Sequence, residues 1–440
     1  MNWLNINDTN LNQVDLLILF TKNNTLFKEI KMNTFEQHES EIRAYCRAVP
    51  TVFKSASNAK MLDENGKEFI DFFAGAGVLN FGHNNPLMKK AIIEFIQRDG
   101  VSHSLDMFTD VKRDFINKFV TTILKPRGLD NRKLQFTGPT GTNAVEAALK
   151  LARKVTGRTE VVAFNRGFHG MTLGALACTA NNAFRNSSGV PLNNVTRGTF
   201  DDMDALNEMK RQMTHSGEGL HAPAAFIIEP IQAEGGVRIA SKEWLHAVQD
   251  FAKETGALLI LDDIQGASGR HGSYFSFDGF DLDPDIIVLA KGLGGFGTPI
   301  AMLLNKPEVD KAWGPGQHTG TFRGQGLSFV AGKVALEYFD NEDFNNETKR
   351  KGDVIRATLD ALHSKYPNTQ IRQKGMMLAI EFESAVIAKA ITVKTFENGL
   401  IIGACSSGEI IKFIPPLTIE DDTLAEGLKR FTAAVDSVLG

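Results

Sequence analysis

Five short apolar runs punctuate the middle of the chain: Glu160–Phe164, Ala225–Ile228, Ala257–Leu261, Asp285–Ala290 and Ile300–Leu304. Each breaks off into polar residues or glycine. Near-continuous apolar runs of this length predict strands buried on both faces. Between several of them the apolar positions return at helical spacing, as in Ala144–Val155 and Glu243–Glu254. Buried strands alternating with helices predict an α/β protein built on a mostly parallel sheet. Ligands of such sheets bind beyond the carboxyl ends of the strands, so the polar residues that end these runs are the place to look for chemistry.

The flanks carry a different pattern. Residues 1–31 are rich in Asn, hold no Gly or Pro, and follow neither amphipathic period. They read as an N-terminal extension, either absent from the native chain or disordered, with Met32 as an alternative start. From Met32 the pattern turns helical, with Thr34 as a cap and Glu36, Glu39 and Glu41 favouring the opening turns. Asp63-Glu64-Asn65-Gly66 predicts a turn leading into a hairpin strand over Lys67–Phe73. Beyond the sheet-forming runs, helices are expected over Gly326–Phe339, Lys349–Tyr366 and Leu424–Val438. Strands are expected over Met376–Phe382 and Glu409–Phe413. At 440 residues the chain exceeds the size at which one core stops growing. The expected division is 32–80 and 341–440 in a smaller α+β domain, with 81–340 as the large domain.

Composition narrows the classes. Hydrophobic residues make up 42% and charged residues 23%, and the formal net charge is −4. These are the values of a globular enzyme, with no basic tract to mark a nucleic-acid partner. No apolar run approaches the length of a membrane span or of a secretory signal core, so a cytoplasmic protein is expected. The three cysteines, Cys46, Cys178 and Cys405, are too widely spaced for a zinc site or a disulfide framework, and buried reduced thiols are expected.

Several strand ends could carry chemistry. Thr140-Gly141-Thr142 opens a helix, where free amides, a glycine and hydroxyls form either an anion site or a plain cap. Asp262-Asp263 follows a buried strand. Successive strand residues face opposite ways, so only one acid can point into a site. That acid could protonate a ring nitrogen, bind a metal or end the strand. Lys291 is delivered by another buried strand into Gly292-Leu293-Gly294-Gly295-Phe296-Gly297. It is either the imine-forming amine of an aldehyde cofactor or a lysine reaching for solvent. Gly292, Gly294 and Gly297 match GxGxxG, but the apolar strand after Pro299 stands where a dinucleotide site requires a helix. Phe168, in Gly167-Phe168-His169-Gly170, offers an aromatic face, and Glu229 and Glu234 lie beyond a further strand.

Taken together, the residues resemble the class III aminotransferases of pyridoxal 5′-phosphate (PLP) fold type I, from Met32 to the C-terminus. The likeness rests on Thr34-Phe35-Glu36-Gln37, Phe72-Phe73-Ala74-Gly75-Ala76-Gly77, His83-Asn84-Asn85-Pro86, Leu105-Asp106-Met107 and Gly167-Phe168-His169-Gly170-Met171-Thr172. Its most specific piece is Gly138-Pro139-Thr140-Gly141-Thr142-Asn143-Ala144-Val145-Glu146-Ala147. Within the class it is closest to the diaminobutyrate–2-oxoglutarate transaminases of the ectoine pathway. The resemblance implies a large domain with a mostly parallel seven-stranded sheet and a smaller α+β domain. It also implies roles: Lys291 as Schiff-base lysine and proton shuttle, Asp262 as partner of the pyridine nitrogen, and Gln265 near the ring hydroxyl. Phe168 would stack on the ring, Gly141 and Thr142 would hold the phosphate, and Thr321 would reach the phosphate of a neighbouring subunit. A homodimer or dimer of dimers with shared active sites follows.

Three positions depart from the wider class. Asp262-Asp263 replaces the usual Asp-Glu, Arg323 follows Thr321-Phe322 where a small residue is common, and Lys412 stands where many members carry a carboxylate-binding arginine. The implied reaction moves an amino group between L-glutamate/2-oxoglutarate and aspartate 4-semialdehyde/L-2,4-diaminobutyrate, with Glu234 and Lys412 forming a switchable substrate-binding pair. Another ω-aminotransferase, for ornithine or 4-aminobutyrate, and a PLP-dependent racemase are the alternatives.

Overall fold

A computed structural model describes residues 33–440; the extension expected at 1–31 lies outside them. Seven strands form the central sheet, in the order Lys133–Phe136, Met302–Asn305, Ile286–Leu289, Leu258–Asp262, Ala225–Ile228, Val161–Phe164, Val195–Gly198. All neighbouring pairs are parallel except the two made by Met302–Asn305. The five middle strands are the five apolar runs of the sequence. Ala225–Ile228, Val161–Phe164, Ile286–Leu289 and Met302–Asn305 are buried at every position, as expected of strands covered by helices on both faces.

One cover is the helix Gly141–Thr156. Thr140 caps it in an extended conformation through the Asn143 N–H, and Gly157 ends it at φ +69°. The face it turns to the sheet is made mostly of small residues, including Ala144, Val145, Ala148 and Ala152. They bring the start of the helix close to the ends of the strands. The opposite face of the sheet packs against Lys242–Thr255 and Gly326–Glu337 through an aromatic-rich core that includes Phe115, Phe164, Trp244 and Phe329.

A second core gathers the C-terminal elements. The strands Gln370–Lys374, Met377–Glu381, Ile410–Phe413 and Gly403–Ala404 form one sheet under the helices Asp343–Lys365 and Asp421–Leu439. Ile70 and Phe72 pack into that core, and Leu400–Ile401 runs parallel to Glu68–Asp71. The early hairpin turn forms as expected, with Asp63 Oδ1 accepting the N–H groups of Asn65 and Lys67.

The N-terminal helix differs from expectation. It spans only Asn33–His38, so Thr34 lies inside its first turn and not at its cap. Cys178 and Cys405 are buried free thiols, whereas Cys46 is half-buried because the short helix Tyr45–Ala48 buries none of its residues.

Candidate active site

Lys291 emerges two residues beyond the buried strand Ile286–Leu289, at the head of the single turn Lys291–Gly294. Its backbone sits at φ +50°, a region that non-glycine residues enter at a cost and that recurs at functional sites. The glycines after it are packing glycines. A Cβ on Gly292 would come within 2.8 Å of Asn80 Nδ2, and one on Gly295 within 2.8 Å of the Ala331 carbonyl. Burial pulls the Lys291 ammonium down to about 8, with Glu234 opposing and Lys412 adding to the shift. An amine so tuned is partly neutral near physiological pH, as a nucleophile must be.

Asp262 is the last residue of the neighbouring strand and is buried. Its Oδ2 lies 2.7 Å from His169 Nδ1, and its Oδ1 accepts the Ile264 N–H at 3.2 Å. Asp263 faces the other way, with Oδ2 accepting the Ser276 N–H at 3.0 Å. Burial drives its carboxyl well above the usual range, with the Ser276 hydrogen bonds opposing. The alternation of strand side chains therefore separates one acid tied to an imidazole from one whose charged form burial disfavours.

Glu234 rides on a tight hairpin in which Ile231–Gln232 pairs with Arg238–Ile239. It forms an ion pair with Lys412, which comes from the strand Ile410–Phe413 of the second core. Burial works against charge on both groups, but each holds the other ionised: Lys412 is raised and Glu234 is lowered, with Lys291 helping the latter. Gln265 bridges inward, accepting from Lys412 Nζ at 3.0 Å and donating to the Ala76 carbonyl at 2.7 Å. Lys291, Asp262, Glu234, Gln265 and Lys412 thus form one cluster at the carboxyl edge of the sheet.

Two members of the cluster were given no role from sequence. Burial pushes the Glu229 carboxyl up to about 7, with His169 opposing; Glu229 accepts the Phe168 N–H at 2.8 Å and the Ala233 N–H at 3.4 Å. It ties the Phe168 loop to the Glu234 hairpin. His169 was visible only as the neighbour of Phe168. A histidine directly after the candidate ring-covering aromatic, in Gly167-Phe168-His169-Gly170, was the available signal.

Gly141 starts its helix directly against Ile264, where an added Cβ would lie 2.9 Å from Ile264 Cδ1. The Thr142 hydroxyl meets the Thr172 hydroxyl at 2.6 Å, and Thr172 continues to Glu146 at 2.6 Å. The Phe168 ring is half-buried, edge-on to Phe184 at 5.8 Å between centroids. Thr321 is not part of this chain's cluster. It is exposed on a loop whose carbonyl accepts from His103 at 2.7 Å. Arg323 forms an ion pair with Asp106, which accounts for a cation at that position.

A partly neutral lysine, an acid–imidazole pair, an ion pair from a second core and a helix N-terminus converge at the strand ends of a mostly parallel sheet. This defines an enzyme site suited to amine chemistry on an anionic ligand. The model of the aminotransferase class III family matches residues 44–435, and the chain belongs to that family. It is 47% identical over 416 residues to a diaminobutyrate–2-oxoglutarate transaminase of Halalkalibacterium halodurans, covering 93% of this chain and 97% of that one. It is 46% identical over 413 residues to the enzyme of that name from Nocardia farcinica, covering 92% and 94%. The crystal structure of ornithine aminotransferase from Toxoplasma gondii superposes with a TM-score of 0.81 at 26% identity, over 98% of this chain and 99% of that one. Another structure of that enzyme has PLP in its active site at partial occupancy.

Proposed function

We propose that the protein transfers an amino group between L-glutamate/2-oxoglutarate and aspartate 4-semialdehyde/L-2,4-diaminobutyrate, with pyridoxal 5′-phosphate as cofactor. The observation that carries the reading is the Glu234–Lys412 pair beside Lys291. The donor set fits the cofactor: an amine tuned to about 8 for its aldehyde, a buried acid for its ring nitrogen, and a helix start for its phosphate. Bound there, PLP supplies the electron sink for the carbanion and the carrier for the amino group.

The chain's own residues do the rest. Lys291 Nζ holds the cofactor covalently and moves the proton at the reacting carbon. Asp262, oriented by His169, keeps the proton on the pyridine nitrogen. Phe168 would cover the ring face and Gln265 would stand near the ring hydroxyl. The Gly141 and Thr142 end of the helix receives the phosphate with its free amides. Thr321 of the partner subunit completes the phosphate site. Mixing purified protein with diaminobutyrate and 2-oxoglutarate and assaying glutamate tests the reading; a clear preference for ornithine or 4-aminobutyrate as donor would replace it.

Glutamate reacts at C2, beside a carboxylate, whereas diaminobutyrate reacts at C4, far from its only carboxylate. The Lys412 ammonium serves the first and is neutralised by Glu234 during the second. Lysine grips a carboxylate as a point charge, without the two-pronged geometry of arginine. Lys412→Ala should therefore slow the glutamate half-reaction roughly ten- to a hundredfold, the loss of about 1.4–2.8 kcal/mol. The diaminobutyrate half-reaction should slow far less. Equal losses in single-turnover measurements would make the pair a fixed structural bridge.

The reading includes a cytoplasmic homodimer or dimer of dimers. No helix among the described residues is long and apolar enough to cross a membrane. The segments around Ser104 and Gly324 are stitched together by backbone bonds. They present Leu105, Met107, Phe108 and Phe322, which are 42%, 58%, 101% and 61% exposed. Such a patch, next to Thr321, is the surface a second copy would cover. In Phe108→Asp a carboxylate would be buried there at a cost of several kcal/mol, weakening the dimer by more than about a hundredfold. Sedimentation should show monomers that also lose PLP, and a fully active monomer would rule out the shared site.

A further inference from the structure

Arg270 carries a charge with no carboxylate of its own. Its side chain is completely buried, yet among the described residues it forms no ion pair and its Nε has no hydrogen-bond partner. Burial works against the charge, with Asp71 opposing. An unpaired buried cation is expensive, so the bonds it does make are the place to look for its use. Nη1 donates to the Pro415 carbonyl at 2.6 Å and to the Met376 carbonyl at 3.3 Å, and Nη2 donates to Asn80 Oδ1 at 2.6 Å. Met376 belongs to the second core, and Pro415 follows the strand Ile410–Phe413 of that core. The backbone repeats the join. The Met376 N–H donates to the Arg270 carbonyl at 3.0 Å and the Leu417 N–H to the Asn80 carbonyl at 2.7 Å.

Asn80 carries this join to the strand end. It is buried, and its Nδ2 donates to the Ser268 carbonyl at 3.0 Å and to the Ala267 carbonyl at 3.4 Å. The same nitrogen stands where Gly292 has no room for a side chain. A Cβ there would come within 2.8 Å of Asn80 Nδ2 and 3.0 Å of Ser268 Cβ. The residue directly after Lys291 therefore packs on an amide that is tied at both ends. Ser268 at φ +61° and Lys291 at φ +50° both occupy the left-handed region, which a residue with a side chain keeps only when its surroundings impose it. Burial shifts Lys291 most, followed by Glu234, Lys412, Asp262 and Glu229; Arg270 reaches it through packing.

We propose that Asn80 and Arg270 are positioning residues for Lys291: the guanidinium, held by the second core, sets Asn80 against Gly292 and so fixes the backbone from which Lys291 reaches the cofactor. Through this contact the core that supplies Lys412 is tied to Lys291. The inference rests on Lys291 as the lysine that holds PLP.

Apoenzyme mixed with PLP reports, by visible absorbance, the rate at which Lys291 captures it. That rate should fall roughly ten- to a hundredfold in Asn80→Ala and in Arg270→Met, the effect of about an ångström of misplacement. Arg270→Lys should recover part of the second loss. Gly292→Ala should lose as much, because its methyl meets Asn80. The double variant Asn80→Ala/Gly292→Ala should lose less than the product of the two single losses. Should Arg270→Met not fold, this pair decides alone. Leu359→Ala, which opens the second core, should melt lower than the parent yet capture PLP at the parent's rate. Losses that follow melting temperature across all these variants, or single losses that simply multiply, would overturn the proposal.

Pulse acetylation of the apoenzyme reads the Lys291 amine without cofactor. Loosening its support admits water and relieves the burial that holds it near 8, so in Asn80→Ala the pH at which Lys291 reacts should move upward, toward the ordinary lysine range. Glu234, Lys412, Asp262 and Glu229 face the amine in parent and variant alike. An unchanged profile would overturn the proposal. A parent that captures no PLP at Lys291, with the upward shift still present in Asn80→Ala, would instead overturn the cofactor reading and leave the positioning role standing.

Discussion

Borohydride treatment of the purified enzyme should fix PLP to the peptide carrying Lys291, and Lys291→Ala should leave a protein whose cofactor dialyses away. Turnover in that variant should fall by at least about 10²–10⁴-fold, the range supplied by a positioned proton-transfer group alone. The physical reason lies in how the lysine is held. The strand Ile286–Leu289 is buried throughout, the backbone at Lys291 is fixed at φ +50°, and burial draws the ammonium down to about 8. No other lysine of the cluster can substitute, because Glu234 holds Lys412 in its charged form. Mass spectrometry of the reduced protein decides the matter, and label recovered on Lys412 would overturn the assignment.

Asp262→Asn should cost on the order of a thousandfold or more in the rate of proton abstraction, because an amide cannot keep a ring nitrogen protonated. His169 would also lose the carboxylate that orients it at 2.7 Å. Asp263→Asn should be far milder. Its carboxyl is pushed well above the usual range by burial, so an amide of nearly the same shape replaces a group whose charged form the site already disfavours. The Ser276 N–H can still be accepted by the amide oxygen. Visible absorbance of the cofactor and single-turnover rates should separate the two variants, and equal losses would mean that the wrong acid has been assigned to the ring.

These expectations differ in how far the chain alone supports them. The five apolar runs, the helix opened by Thr140 and the failed dinucleotide fingerprint were readable because buried strands and helix caps impose local composition. Asp262 and Asp263 could be told to face opposite ways from strand geometry, but nothing local said which one faces the site. That was decided by His169 and Ser276, brought there from distant loops. Lys412 stood out in the sequence as a departure from its class and was paired with Glu234 only by what the implied reaction requires. Its burial against Glu234 and Gln265 depends on two separate cores meeting. Glu229 passed as one acid among several until the fold joined the Phe168 loop to the Glu234 hairpin through it.

By itself the sequence determined the sheet's strands and the residues at their carboxyl ends, among them the lysine proposed to hold the cofactor. These follow from periodicity and from the cost of burying polar groups, both of which act over a few residues. Tertiary structure alone decided the directions in which burial and neighbours shift Lys291, Glu229, Glu234 and Lys412, and the joining of His169 to Asp262 and of Gln265 to Lys412. Electrostatic energies depend on distance through space and on burial, and neither can be read along the chain.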